Sequence, residues 1–154
     1  MSRVYLDTSV YVRPFDDQSQ SRIWLETQAI TVIMQMIESR SVLLVASSIV
    51  QYEVSRHPEA EHRSMVAQLI GLAKEVHKVG TSLLPRAQVL SEQGIKAIDA
   101  LHIACAELCN CNFFVTCDDR LIRRYRSLAD GSLRIVDPTE FVRILSEGDS
   151  QDLP

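Results

Sequence analysis

The chain has 154 residues, 46% of them apolar and 23% charged, with five Gly and five Pro. That suits one domain with a packed core and argues against a disordered, collagen-like or low-complexity chain. Acids outnumber bases 20 to 16, for a formal charge of −4. This excludes a nucleic-acid binder of the strongly basic kind, though not one that acts through a local patch.

Residues 3–6 read as a short strand entered at once. Its apolar stub, Val4-Tyr5-Leu6, lies between Arg3 and Asp7 and is too short for a secretion signal. No apolar run approaches the roughly 20 residues of a membrane span. The expectation is a cytoplasmic protein with no membrane partner. A loop over 7–20 follows, with Pro14 and the polar turn Asp16-Asp17-Gln18. In 21–39, Ile23, Ile30, Ile33, Met34 and Ile37 recur near the helical period, and no Gly or Pro intervenes, so a long helix is predicted. Residues 42–46 are apolar throughout, as in a strand covered on both faces.

Ser47 or Ser48 can cap the next helix, which runs to Arg56 before Pro58. Another helix spans 60–73, a third strand 75–79, and a helix 85–93 that stops at Gly94. Residues 96–108 form an Ala- and Leu-rich helix. A strand at 113–116, a short helix from Asp119, a strand at 133–136 and a helix at 139–146 complete the domain, 1–146. The tail, 147–154, carries three acids and one large apolar residue and is expected to be mobile.

Strands alternating with helices predict a single α/β domain of Rossmann-like kind. It has a mainly parallel sheet of about five strands with helices on both faces. Ligands of such sheets bind beyond the carboxyl ends of the strands, near the switch in strand order. Four acids fall on that edge. Asp7 follows the first strand and Asp118 the fourth. Glu53 lies early in the helix after the second strand, and Asp99 lies in the first turn of the helix leading into the fourth. Singly, Asp7 and Asp99 read as caps and Glu53 as a solvated helix face. Four on one edge repel unless a cation sits among them. Oxygen donors without His or Cys suit Mg²⁺ or Mn²⁺.

Cys105, Cys109, Cys111 and Cys117 crowd into one stretch. Their spacings of four, two and six match no zinc knuckle pair, and a disulfide framework would spread along the chain. They read as small core residues.

The quoted residues resemble a family. Val4-Tyr5-Leu6-Asp7-Thr8-Ser9, the stretch 48–53 ending in Glu53, Asp-Ala-Leu-His-Ile-Ala at 99–104 and Val115-Thr116-Cys117-Asp118 are similar, in order and spacing, to PIN-domain proteins. The likeness is strongest to VapC-type toxin ribonucleases of VapBC toxin–antitoxin pairs, and it covers residues 3–137. It implies that Asp7, Glu53, Asp99 and Asp118 form a catalytic quartet. Asp7, Asp99 and Asp118 would be the metal ligands, for Mg²⁺ or Mn²⁺. Thr116 and either Thr8 or Ser9 would orient carboxylates or waters. The implied reaction is hydrolysis of single-stranded RNA, with a protein antitoxin as partner and a homodimer as assembly. Many relatives carry Gly where this chain has Asn110-Cys111-Asn112, and Asn can also take the left-handed conformation at a helix end. Asp119 adjoins Asp118, but the Thr-x-Asp spacing selects Asp118.

His102, three residues after Asp99, can share its face as a partner of the carboxylate, or be a buried His bonded to backbone. His57 and His62 read as solvated. Arg120, Arg123, Arg124 and Arg126 follow Asp118. Helical spacing cannot send all four one way, so one or two, Arg120 first and then Arg123, are expected to meet phosphate. Two rivals remain. A phosphatase of the haloacid-dehalogenase kind would want an Asp at position 9, where Ser9 stands. The other is a catalytically silent PIN-like module that docks RNA or protein.

Overall fold

In the computed structural model, residues 1–128, 131 and 133–151 are described. Strand β1 (Ser2–Leu6) is the centre of the fold, and its last three side chains are fully buried. It pairs in parallel with β2 (Val42–Ser47) on one side and β4 (Phe113–Val115) on the other. β3 (Glu75–His77) and β5 (Arg134–Val136) are the edges, giving the order β3-β2-β1-β4-β5, all parallel. Strand order reverses at β1 and β4, so the crevice at their carboxyl ends is the switch point. The register is Val4 to Phe113 and Leu6 to Val115. The pairing runs on past the strands, because Asp7 N–H donates to Val115 O and Thr116 N–H to Val136 O. Asp7 and Thr116 are thereby locked side by side.

Around the sheet lie α1 (Thr8–Val12), α2 (Ser21–Glu38), α3 (Ser48–Ser55), α4 (Ala60–Ile70), α5 (Leu84–Glu92), α6 (Ala97–Leu108), α7 (Asp119–Arg126) and α8 (Pro138–Gln151). Right-handed crossovers put the connections β1–β2 and β2–β3 on one face and β3–β4 and β4–β5 on the other. α2 packs on α8, and α5 on α6. The core runs through Ile30, Ile33 and Ile37 of α2, Ile103 of α6, Phe114 and Phe141. No helix among the described residues is long and apolar enough to cross a membrane.

Three expectations need correction. The stretch read as a loop over 7–20 opens with α1, capped by the Asp7 side chain, and continues as a 3-10 turn, Arg13–Phe15. A five-residue helix has no hydrophobic repeat to read, and tertiary packing of Val10 and Tyr11 holds it. The last helix passes Ser146 and reaches Gln151, with Arg143 bonded to Glu147; residues 152–154 of the expected tail lie outside the described residues. His57 and His62 are half-buried rather than solvated. His62 stacks on Phe15 with centroids 3.9 Å apart, and His57 Nδ1 accepts from Glu59 N–H.

All four cysteines are buried, unpaired core residues. Asn110 ends α6 with φ 57°, as its side chain permits. Gly94, at φ 95°, closes α5.

Candidate active site

Asp7 is where the crevice begins. Its N–H is spent on β4, and its carboxylate caps α1 by accepting from Thr8 N–H at 2.9 Å. The other carboxylate oxygen accepts from Ser9 Oγ at 2.8 Å and Thr116 Oγ1 at 2.9 Å. Both hydroxyls are fixed in turn: Ser9 Oγ accepts from Cys117 N–H, and Thr116 Oγ1 from Asp118 N–H. Only 7% of Asp7 is exposed, and a carboxylate so placed survives burial because three donors replace its water.

Thr8 points the other way, donating through Oγ1 to Glu53 Oε1 at 2.6 Å. The same oxygen meets His102 Nε2 at 2.5 Å. His102 Nδ1 contacts Tyr5 Oη at 2.6 Å, and Tyr5 Oη contacts Ser47 Oγ at 2.7 Å. Ser47 Oγ, the N-cap of α3, accepts from Val50 N–H. Glu53 can only accept, so Nε2 carries a proton and donates to it. The hydroxyls of Tyr5 and Ser47 can each donate or accept, so the chain Nδ1, Tyr5 Oη, Ser47 Oγ, Val50 N–H leaves every one of its buried polar groups with a partner.

His102 was expected either beside Asp99 or on backbone. It serves Glu53 of α3 instead, with Asp7 Oδ1 3.8 Å from Nε2. Tyr5 and Ser47 were missed. Their only sequence signal is a hydroxyl at a buried strand position, Tyr5 within Val4-Tyr5-Leu6 and Ser47 at the end of β2.

Burial pushes the Glu53 carboxyl up, but the bonds from His102 and Thr8 outweigh it and hold the group below its usual value. Asp99, in the first turn of α6, shows the opposite. Burial first, then repulsion from Asp7 and Asp118, push its carboxyl up to about 6. Asp118 caps α7, accepting through Oδ1 from Arg120 and Leu121 N–H. Asp119 is turned away, gripped by both terminal nitrogens of Arg22 at 2.6 and 2.7 Å. Among the described residues no three His, Cys, Asp or Glu side chains stand close enough to grip one ion directly.

Asp99 and Asp118 also line a cleft of about 470 Å³ between the α5–α6 turn and α7. Arg120, Arg123 and Arg124 line it too, one more than expected of this run. Arg126 departs to Ile135 O and Glu140.

The PIN domain family model matches residues 4–127. The chain belongs to the PIN-domain family. No curated protein aligns significantly with this PIN domain. Its fold is similar to solved structures at low sequence identity. VapBC2 from Rickettsia felis, bound to a promoter DNA fragment, has a TM-score of 0.55 at 16% identity and covers 88% of this chain and 98% of its own. VapC20 from Mycobacterium tuberculosis, described as a Sarcin-Ricin loop cleaving toxin, has a TM-score of 0.56 at 16% identity over 85% and 98%. VapBC-1 from nontypeable Haemophilus influenzae has 0.54 at 16% over 89% and 98%.

Proposed function

We propose that this PIN domain is a divalent-metal-dependent endoribonuclease acting on single-stranded RNA, the toxin of a toxin–antitoxin pair. One observation carries the reading: Asp7, Asp99 and Asp118 face one another at the switch point, where burial first and repulsion from Asp7 and Asp118 second lift the Asp99 carboxyl to about 6. An all-oxygen donor set under mutual repulsion fits Mg²⁺ or Mn²⁺. Mg²⁺ is commonly held by one or two carboxylates and otherwise by water, so Asp7, Asp99 and Asp118 would hold the ion partly through its bound waters. When bound, it supplies charge neutralisation at the scissile phosphate and activation of the attacking water.

The chain's own residues do the positioning. Ser9, Thr8 and Thr116 fix Asp7, so its carboxylate needs no reorganisation on binding. Glu53 Oε1 is held by Thr8 and His102, and Oε2 forms no hydrogen bond among the described residues. That oxygen would orient the nucleophilic water. The lowered basicity of Glu53 suits orienting more than accepting a proton.

The VapBC likeness supports a protein inhibitor as partner. A basic side chain among the carboxylates would block the site, and an Arg fork suits that task. A homodimer is proposed on α2, which exposes Trp24, Leu25 and Val32.

The test is incubation of structured and unstructured RNAs with Mg²⁺, Mn²⁺ or chelator. Asp7→Asn and Asp99→Asn should lose activity by orders of magnitude and keep a native circular dichroism spectrum. Glu53→Ala should lose activity less severely. Robust cleavage in excess chelator, or full activity in both Asn variants, would overturn the mechanism. A folded, metal-binding protein that cleaves no RNA would favour the docking module.

A further inference from the structure

The cleft beside the carboxylates holds four cationic side chains. Lys96 enters from the α5–α6 turn, and Arg120, Arg123 and Arg124 from α7. Positions 120, 123 and 124 share one helix face by their spacing. None of the four side chains forms a hydrogen bond or ion pair among the described residues. Of the twelve other bases, Arg3, Arg13, Arg22, Arg86, Arg126 and Arg143 meet acids. In a chain of net charge −4, four bases without an ion pair among the described residues gather in one cleft beside Asp99 and Asp118.

The cleft is also built. Gly94 stands at φ 95°, and a Cβ there would lie 3.3 Å from Arg124 Nε and 3.4 Å from its guanidinium carbon. The missing side chain lets the Arg124 guanidinium lie against the backbone of the turn. The left-handed backbone favours glycine, and a Cβ there would press on the Arg124 side chain.

We infer that Lys96 and Arg124, the latter seated on Gly94, bind the RNA phosphate that flanks the scissile one and so set the strand's path across the site. The inference rests on the ribonuclease reading. A polyanion with one phosphate per unit uses both halves of the groove, placing one phosphate at the carboxylates and the next among the bases. Planar guanidinium forks match phosphate oxygens in pairs. The backbone is the recognised feature, so binding depends on salt and little on base identity.

The experiment measures fluorescence anisotropy of a short labelled oligouridylate with the full chain in chelator, where turnover is absent, over a range of salt. Lys96→Gln and Arg124→Gln should each weaken binding about fivefold, the yield of one partly exposed charge contact. Each should flatten the slope of log K against log salt by about 0.7. Arg143→Gln, the same charge change on α8, should alter neither. Gly94→Ala should follow Arg124→Gln, and melting curves identify a variant that has merely lost its fold. If the parent binds RNA and the Lys96 and Arg124 variants match Arg143→Gln, the cleft assignment is overturned and the ribonuclease reading stands. If the cleft variants lose RNA affinity but the parent cleaves nothing with Mg²⁺ or Mn²⁺, the cleft stands and hydrolysis does not. A parent that binds no RNA overturns both, as does a cleft that discriminates only an acidic peptide.

Discussion

Replacing Asp99 by Asn should make the metal-free protein more stable. Burial and the neighbouring Asp7 and Asp118 raise the Asp99 carboxyl from its ordinary 3.8 to about 6. Two pK units correspond to about 3 kcal/mol of disfavoured charge. Asp99 is only half-buried, so solvent screening reduces this to roughly 1–1.5 kcal/mol. Its charge also gains a few tenths of a kcal/mol in the first turn of α6, which Asn forgoes. A net gain of about 1 kcal/mol remains, a rise in Tm of roughly 2–4 °C for a chain of this size. The sign follows from linkage. A carboxyl whose folded value is raised keeps its proton longer in the folded state, so the penalty is absent below about pH 4. It develops as pH rises towards about 6 and is complete above. Thermal melts of parent and variant in chelator, from acid to neutral pH, should therefore coincide at the acid end and separate near neutrality. Saturating Mg²⁺ should then reverse the order, because the parent keeps a ligand that the variant has lost. A variant that melts below the parent in chelator near neutral pH, or a difference that ignores pH, would refute the repulsion argument. An equal Mg²⁺ response in both proteins would refute Asp99 as a ligand.

Tyr5→Phe removes the hydroxyl between Ser47 and His102. Leaving two buried groups short of a partner should cost about 2 kcal/mol, read as a fall in Tm; an unchanged Tm would mean that the chain of hydroxyls is not closed as described. Truncation after Ser146 should leave the unfolding midpoint nearly unchanged, since the segment removed has little apolar surface to offset its ordering. A drop of several degrees would show that the end of α8 packs. Light scattering should give twice the 17.4 kDa monomer mass at micromolar concentration, and a monomer throughout that range would exclude the α2 dimer.

Much of the architecture is legible along the chain because its signals are local. The apolar run in β2, the helical repeat in α2 and the stop at Gly94 are each written within a few residues, and the strand–helix alternation constrains the crossovers. The order β3-β2-β1-β4-β5 follows only partly. Alternation requires parallel pairing, but which strands neighbour β1 is decided by packing over more than a hundred residues. The short helix α1 illustrates the same limit, since a five-residue helix exists only because Asp7 caps it and the core receives Val10 and Tyr11.

At the site, the types and positions of Asp7, Glu53, Asp99 and Asp118 could be read from where they fall relative to predicted strand ends. Their partners could not. Asp119 is as acidic as Asp118 in sequence, and only the folded chain brings Arg22 from α2 to hold it aside. His102 shares a helix with Asp99 yet serves Glu53, because the fold brings its Nε2 to within 2.5 Å of the Glu53 carboxylate on α3. Arg124 stood behind Arg120 and Arg123 among the bases after Asp118, and only the folded chain brings the turn at Gly94 against it. Sequence records residue chemistry and local periodicity. The hydrogen-bond partners and repulsions that tune this chemistry act over a few ångströms between residues up to 109 positions apart, and tertiary contact alone creates them.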